Sequence, residues 1–432
     1  MQKGRVIQVE EKVPFSLLAP LSVQHMFAMF GASVLVPTVF GINPAIVLFM
    51  NGIGTLLFIL ITKGKAPAYL GSSFAFLGPG GLVISKFGYE YALGGFVIVG
   101  LCGCLLALVV WKFGSKWIDV VLPPAAMGPV VALIGLELAG NAAENAKILH
   151  VEGAPIDPKN VIVFLVTLGV AVFGSVLFRK FLSVIPILIA IIAGYITAAC
   201  CGLVDFTPVQ QAQIFSLPNF SMPKFNLEAI WTLLPVLLVI TSEHIGHQVV
   251  TSKIVGRDLL KDPGLHRSLF ADNFSSMLSG LIGSVPTTTY GENIGVMAIT
   301  RVYSVRVIAG AAVLSIAGSF IGKFSALINT IPGPVIGGIS FLLYGMIGAS
   351  GIRILVDSKV DFGKSRNLIL TSVIFITGLS GVTLQLGNVE LKGMVLACIV
   401  GMVLGLLFYL FDRFHLLNDM DDTQETDAVE KK

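Results

Sequence analysis

The strongest constraint on this fold is a run of 49 residues, Pro14 to Thr62, that contains no Asp, Glu, Lys or Arg. No buried helix of a water-soluble domain needs such a length, whereas a membrane-spanning helix needs about 20 apolar residues. Charged residues make up only 12% of the 432 residues, about half the share of a soluble domain. The sequence therefore predicts an all-α polytopic membrane protein and argues against a cytosolic enzyme, a nucleic-acid-binding protein and a disordered chain.

Apolar windows of about 20 residues predict 14 membrane-spanning segments, seven in each half of the chain. In chain order these spans are 16–37, 44–62, 67–85, 92–111, 119–140, 160–178, 182–204, 228–250, 266–283, 284–300, 305–322, 325–350, 367–386 and 391–411. Spans 3, 9 and 10 are only weakly hydrophobic, but keeping them satisfies the positive-inside rule. With both termini in the cytoplasm, only six of the 28 Lys and Arg residues fall outside: Lys86, Lys147, Lys159, Lys224, Lys323 and Lys392.

The two halves of the sequence share features in the same order. Span 1 contains Leu-Ser-Val-Gln-His at 21–25, and span 8 contains Ile-Thr-Ser-Glu-His at 240–244. Seven spans per half turn the second half upside down in the membrane, which is the inverted-repeat plan of many secondary transporters. We therefore expect two inverted repeats of seven spans each.

Spans 3 and 10 mix Gly, Pro, Ser or Thr and aromatic residues where a continuous helix would be expected. Residues 69–81 read YLGSSFAFLGPGG, and residues 283–295 read GSVPTTTYGENIG. Irregular backbone at this depth is tolerated only if it is buried in protein or lines a cavity. The pattern predicts short β-segments, Ser72 to Phe76 and Val285 to Tyr290, each followed by a half-helix. Such paired interruptions mark a transport site; the alternative is kinks for close helix packing.

Ionisable side chains at bilayer depth are costly and are therefore functional candidates. The deep ones are His25, Glu137, Glu243, His244, His247 and Glu292. Glu243 and His247 are four residues apart and share a helix face. His244 and His247 also suggest a zinc site, but a third ligand is missing, so no metal and no cofactor are predicted. Glu137 lies close to the outer end of span 5 and can reach water.

Glu292 and Glu243 are expected to lie in different environments. Glu292 opens the half-helix of span 10, where the helix dipole favours a negative charge. Glu243 lies in the middle of a helix, where loss of water favours the neutral acid. Our hypothesis is that Glu243 is the proton-linked group, buffered by His247, and that Glu292 is mainly a substrate ligand. His25, beside Gln24, is either functional or held in an interhelical hydrogen bond.

The chemistry of these residues restricts the ligand. The absence of Lys and Arg at mid-depth argues against an anion, and two carboxylates prefer a ligand with N–H donors. Backbone N–H groups at half-helix starts prefer carbonyl acceptors, and Phe74 and Tyr290 offer flat apolar faces. A nucleobase such as uracil combines these properties, although a purine dione or a small diamide would also fit.

Residues 292–301, ENIGVMAITR, resemble the signature of the nucleobase–ascorbate transporter family, also called nucleobase–cation symporters. Gln24 and His25 resemble the Gln-His motif of that family, and the resemblance runs from about residue 14 to 412. It is closest to the branch that imports uracil with a proton, and its most specific runs are 24–37, 68–76, 243–247 and 288–304.

The resemblance implies which residues bind the substrate, which carry the proton and which surround the site. It places substrate contacts at Glu243, Glu292, Tyr290 and the backbone amides of Phe74 and Gly291. Proton coupling is implied for Glu243 and His247, and the residues around the site are Gln24, His25, Ser73 and Asn293. An acidic residue at 292 fits the uracil branch. Asp272 departs from the expected neutral residue; it either snorkels to the nearby cytoplasmic turn or touches the proton path.

The resemblance also implies an arrangement of domains. A core domain comprises residues 13–118 and 206–324, a gate domain comprises 119–205 and 325–412, and 413–432 form a cytoplasmic tail. The expected protein is a homodimer associated through its gate domains in the bacterial cytoplasmic (inner) membrane. It moves uracil and a proton by elevator-like alternating access and binds no nucleic acid. The alternatives are a permease of the same fold for xanthine or another nucleobase, and an anion exchanger of the same fold.

Overall fold

The computed structural model describes residues 6–149, 155–179, 182–387 and 389–417, which contain 20 α-helices and four short strands. Residues 418–432, most of the predicted cytoplasmic tail, lie outside the described residues. The helices of the first half are α1 (Phe15–Ala28), α2 (Phe30–Phe40), α3 (Pro44–Ile61), α4 (Leu77–Phe87), α5 (Tyr89–Phe113), α6 (Lys116–Val121), α7 (Pro124–Leu136), α8 (Ala139–Ala146), α9 (Pro158–Leu177), α10 (Pro186–Cys200) and α11 (Thr207–Gln211).

The second half is also mainly helical. Its helices are α12 (Leu227–Leu233), α13 (Val236–Val255), α14 (Leu265–Ile282), α15 (Gly291–Thr300), α16 (Val305–Ser319), α17 (Gly322–Asn329), α18 (Gly333–Asp357), α19 (Ser365–Leu379) and α20 (Gly393–Arg413). The strands are β1 (Leu70–Ser72), β2 (Thr287–Thr289), β3 (Thr383–Leu386) and β4 (Val389–Lys392), and they form two antiparallel pairs, β1 with β2 and β3 with β4.

Within the described residues, eight helical segments are long and apolar enough to cross a membrane. They are Phe15–Phe40, Pro44–Ile61, Tyr89–Phe113, Pro124–Ala146, Pro158–Leu177, Leu227–Val255, Gly333–Asp357 and Gly393–Arg413. The protein is therefore a mainly helical, multi-pass membrane protein. Each of the other six predicted spans also overlaps a helix, but these helices are shorter or more polar. The count of fourteen and the inverted repeat stay predictions.

The interruptions in spans 3 and 10 meet as the antiparallel pair of β1 and β2. Gly71 lies opposite Thr288. In span 10 the predicted extended segment is confirmed, because β2 lies inside 285–290 and α15 follows it. In span 3 the prediction was wrong by about three residues, since β1 ends at Ser72 and Phe74–Phe76 form a 3₁₀ turn that leads into α4.

Proline explains where β1 ends. The Ser73 N–H donates to the carbonyl of Pro286 at 2.8 Å. Proline has no N–H to return to the ladder, so pairing cannot continue past this point. The chain then turns into the half-helix α4, and the Phe74 N–H, as the first donor of the turn, has no partner within it.

Gly71 is required where β1 pairs with β2. A Cβ atom at this position would lie 2.3 Å from the ring of Tyr290. The ring cannot swing aside freely, because its hydroxyl donates to the Ser72 carbonyl at 2.8 Å.

We expect Gly71→Ala to destabilise the protein by about 1–3 kcal/mol through overpacking. Thermal unfolding in detergent, compared with Gly81→Ala, measures this effect. Gly81 is the matched control because a Cβ atom there meets nothing within 4 Å. Equal melting temperatures for the two variants would contradict the prediction.

Contacts divide the described residues into two compact units. One comprises the described residues of 1–112 and 138–345 and contains β1, β2 and the half-helices α4 and α15. The other comprises 113–137 and the described residues of 346–432. In this second unit Glu137, a candidate from the sequence, accepts a hydrogen bond of 2.9 Å from the N–H of Met394 at the start of α20. Glu137 thus caps a helix. The assignment of core and gate domains stays a prediction.

The segment before α1 is fastened to the chain between α15 and α16. The Tyr303 N–H donates to the Ile7 carbonyl at 2.9 Å, and the Ser304 hydroxyl donates to the Glu11 carbonyl at 2.8 Å. Glu10 accepts two bonds, of 2.6 and 2.9 Å, from the Arg257 guanidinium just beyond α13. This guanidinium holds the pKa of the Glu10 carboxyl below its usual range.

We expect Glu10→Gln to cost less than about 1 kcal/mol of stability at neutral pH, because both partners are largely exposed. Since the folded-state pKa is lowered, the contribution is present above the ordinary pKa of Glu and is lost as pH falls through the lowered value. The difference in melting temperature between wild type and variant should therefore shrink between pH 7 and about pH 3. A difference that persisted at the lower pH would contradict this assignment.

Candidate functional site

Two carboxylates lie on neighbouring helices beside the strand pair β1–β2. Glu243 lies in the middle of α13 and is 8% exposed, and α13 packs against α15 and β2. Glu292 is the second residue of α15 and is half-buried. The position of Glu292 follows from the local backbone, since Tyr290 is extended and the helix begins at Gly291. The arrangement brings together one mid-helix carboxylate and one at a helix N-terminus.

Aromatic rings lie next to the strand pair. Phe74 and Tyr290 lie nearly parallel, with ring centroids 6.5 Å apart and planes at 20°. Tyr344 on α18 contacts Phe74 edge to face at 6.0 Å. The sequence predicted the first two but missed Tyr344, which lies far from them in the chain. All three side chains lie in the first unit and supply flat apolar surface.

His247 faces the same region. Its Nδ1 atom lies 3.1 Å from the Thr289 hydroxyl on β2. Its Nε2 atom would lie 3.4 Å from a Cβ atom built on Gly291, so the imidazole lies beside the start of α15. Gly291 itself is exposed. His247 thus shares a face of α13 with Glu243 and adjoins the backbone that carries Glu292.

His25 is held by α15. Its Nδ1 atom forms a hydrogen bond with the Asn293 side-chain oxygen, and both side chains are fully buried. An interhelical hydrogen bond, one of the two possibilities that the sequence left open for His25, is therefore present, with Asn293 as the partner. Gln24 and Ser73 are also buried.

A buried chain of polar side chains, which the sequence did not predict, connects α13 and α14. His244 Nδ1 lies 3.1 Å from Asp272 Oδ2, and His244 Nε2 lies 3.0 Å from the Ser268 hydroxyl. Asp272 is only 3% exposed and its partner is a buried imidazole, so the first of the two alternatives given for it, snorkelling to the cytoplasmic turn, is contradicted. Because both His244 nitrogens are engaged, the zinc interpretation through His244 and His247 has no support. The only available signal was the four-residue spacing of Ser268 and Asp272, which puts them on one helix face.

Several buried polar atoms near the strand pair have no hydrogen-bond partner among the described residues. They include Glu243 Oε2, Asp272 Oδ1, Gln248 Oε1 and the hydroxyls of Ser72, Ser73 and Thr288. Buried polar groups are normally paired, so such a concentration indicates a place that binds water, a ligand or a proton. No Lys or Arg is among the buried polar residues of the described chain.

Comparisons with known proteins identify related permeases. A sequence profile of the xanthine/uracil permease family, described as "Permease family", matches residues 17–387. A protein of Escherichia coli K12 named "Uracil permease" is 56% identical over 427 residues, which is 99% of each chain. One of the same name from Paenibacillus larvae is 54% identical over 420 residues, 96% of this chain and 100% of the relative.

Solved structures share the fold at low sequence identity. The murine Solute Carrier 26 family member A9 anion transporter, in its inward-facing state, matches with a TM-score of 0.71 at 10% identity over 93% of this chain and 69% of that chain. The transmembrane domain of the cyanobacterial bicarbonate transporter BicA matches with a TM-score of 0.60 at 17% identity, covering 92% and 100%. At these identities the likeness concerns the fold alone. From the family profile and the full-length relatives, the chain belongs to the nucleobase–ascorbate transporter family of permeases and is a transporter, not an enzyme.

Proposed function

We propose that this protein is a symporter that imports uracil together with a proton. The observation that carries the proposal is the pair of acidic side chains, Glu243 and Glu292, beside two half-helices that begin at crossing strands. The full-length identity of 56% to a protein named uracil permease supports the choice of substrate.

In the proposed site, uracil lies against Phe74 and Tyr290. Its two N–H groups donate to Glu243 and Glu292, and its carbonyls accept from the backbone N–H groups of Phe74 and Gly291. These N–H groups begin a helical turn and lack partners within it, so they are available to a ligand. The N–H and C=O groups of uracil thus match the acceptors and donors around the strand pair.

The proton is proposed to travel on Glu243, with His247 beside it. Glu243 is buried and its Oε2 atom has no hydrogen-bond partner. A buried, unpaired negative charge is costly, so a proton on Glu243 would remove one of the two negative charges from the loaded site before it moves through the membrane. Asp272 on α14 and its partner His244, the residue that follows Glu243 on α13, are a second candidate place for a proton.

Transport is proposed to follow the elevator-like plan of the family, with a core domain (13–118 and 206–324) that moves against a gate domain (119–205 and 325–412). The proposed setting is a homodimer joined through its gate domains in the bacterial cytoplasmic membrane, with both termini in the cytoplasm. Antibody access to tags at the two termini in spheroplasts, before and after permeabilisation, tests the orientation. Labelling of either tag in intact spheroplasts would overturn it.

A second candidate is an anion exchanger, because the fold resembles that of anion transporters. An anion site requires positive charge or uncharged donors, whereas this site presents two carboxylates and the buried residues of the described chain include no Lys or Arg. Xanthine or another nucleobase remains the alternative substrate within the family.

The test is uptake of labelled uracil into proteoliposomes with an inward proton gradient. Accumulation that collapses on addition of a protonophore supports symport, whereas uptake unaffected by the gradient would indicate facilitated diffusion. Unlabelled xanthine and bicarbonate are the competitors. Inhibition of labelled-uracil uptake by xanthine or bicarbonate at concentrations lower than unlabelled uracil requires would favour the corresponding alternative.

A further inference from the structure

A polar cavity of about 240 Å³ lies in the first unit, where α3 begins and α16 ends. Six of its lining residues have neutral polar side chains, and these are Asn43, Gln213, Ser216, Ser319, Ser325 and Asn329. The remaining lining residues are Ala or Gly, and none is charged. The volume corresponds to about eight water molecules at about 30 Å³ each, which is enough for one small ring.

The walls of this cavity, called the α17 cavity from here on, are fixed by backbone contacts. Phe215 pairs with Ile321 as an antiparallel bridge, and the Gly322 N–H donates to the Ile214 carbonyl at 3.0 Å. Next to this bridge, the rings of Phe215 and Phe320 stack with their centroids 5.8 Å apart. The cavity is therefore formed in advance and does not depend on a bound molecule for its shape.

One polar atom in the wall has no partner. Ser325 is 5% exposed, and its hydroxyl forms no hydrogen bond with the described residues. A serine buried in this way normally bonds to the protein, to water or to a ligand. With amide and hydroxyl groups around it, the cavity offers both donors and acceptors without charge. A neutral polar molecule fits this chemistry, whereas an ion would lack a counter-charge and an apolar molecule would leave the polar groups unpaired.

The cavity adjoins α3, the same helix that holds β1. It is at the start of α3, and the Thr55 hydroxyl farther along α3 accepts a bond from the Leu70 N–H of β1 at 2.9 Å. The twelve residues from Asn43 to Thr55 span about 18 Å of helix, so the cavity is separate from the central site. The opposite end of α3 carries Lys63 and Lys65, and the positive-inside rule therefore predicts that the cavity faces outward.

We propose that the α17 cavity is an outer waiting site for a neutral planar molecule with N–H and C=O groups. Given the proposed function, on which this inference rests, that molecule is a pyrimidine base. The site raises the local concentration of substrate before it reaches Glu243 and Glu292. The site affects uptake of the base from the outer face and leaves its efflux from the inside unchanged.

The test variant is Ser325→Phe, which fills the cavity, and its matched control is Leu327→Phe. Leu327 lies on the same helix, is 40% exposed and does not line the cavity. Ser325→Thr keeps the hydroxyl. Gln213→Ala, on the exposed loop, is a second variant that removes a polar group without filling the cavity and serves if Ser325→Phe does not fold.

The measurements are equilibrium binding of labelled uracil to the purified protein and sided transport in proteoliposomes. Wild type should show a tight and a weak class of site, and Ser325→Phe should keep only the tight class. Its KM for uptake from the outer face should rise about threefold to tenfold at unchanged maximal rate, with uracil efflux unaffected; Gln213→Ala should change KM in the same direction. Leu327→Phe and Ser325→Thr should behave as wild type.

Two results would overturn the inference while leaving the proposed function intact. One is a single class of uracil site in wild type, and the other is an outer KM in Ser325→Phe equal to that in Leu327→Phe. Absence of any uracil binding or uptake in wild type would instead overturn the proposed function, and the inference with it.

Discussion

Glu292→Ala should abolish measurable uracil binding and uptake. Glu292 lies in the first turn of α15 beside the strand pair, where the helix dipole favours its negative charge. A hydrogen bond to a charged group contributes about 1.5–3 kcal/mol, and its loss leaves a substrate N–H without a partner as well. We therefore expect the affinity to fall at least about 100-fold, since each 1.4 kcal/mol is a factor of ten.

The measurement is binding of labelled uracil to purified protein, with Glu144→Ala as the control. Glu144 is an exposed carboxylate on α8 in the same unit and is remote in sequence from the strand pair. The Glu144→Ala substitution should leave the affinity for uracil unchanged. A Glu292→Ala protein that bound uracil within about threefold of wild type would remove Glu292 from the site.

Glu243→Gln should separate binding from proton coupling. Gln has the same shape as a protonated Glu and can still hydrogen-bond to uracil, but it cannot gain or lose a proton at physiological pH. We expect uracil binding to persist within about tenfold, while accumulation driven by a proton gradient disappears and the pH dependence of transport flattens. The physical reason is that the variant fixes residue 243 in an uncharged form.

Asp272→Asn, measured beside Glu243→Gln, shows whether the His244–Asp272 pair belongs to the same proton path. Loss of coupling in both variants would place the two carboxylates on one path. Accumulation by Glu243→Gln equal to wild type, with the same response to a protonophore, would contradict the role proposed for Glu243.

The sequence was most informative where local chemistry decides the conformation. Pro286 and the three threonines after it predict an extended segment, and the half-helix after Gly291 follows from them; all of this is confirmed. In span 3 no proline marks the end of the strand. Its end is set by Pro286 on the partner strand, which sequence reading along span 3 alone cannot reveal.

Long-range packing was the least predictable part. Asp272 lies near a cytoplasmic turn in sequence, and only the packing of α14 against α13 shows that His244 is its partner. Tyr344 likewise joins Phe74 through a contact between distant segments. Conversely, α14 and α15 carry the polar residues of this region, which is why hydropathy alone gives weak signals for spans 9 and 10.

The central claim is that uracil and a proton cross the membrane together, and the pH inside proteoliposomes during uracil entry tests it most directly. Vesicles containing a pH-sensitive dye are diluted into uracil without any initial pH gradient and with a potassium ionophore to balance charge. The account predicts that uracil entry acidifies the lumen in wild type but not in Glu243→Gln. Labelled uracil that enters wild-type vesicles with no change of internal pH would contradict it.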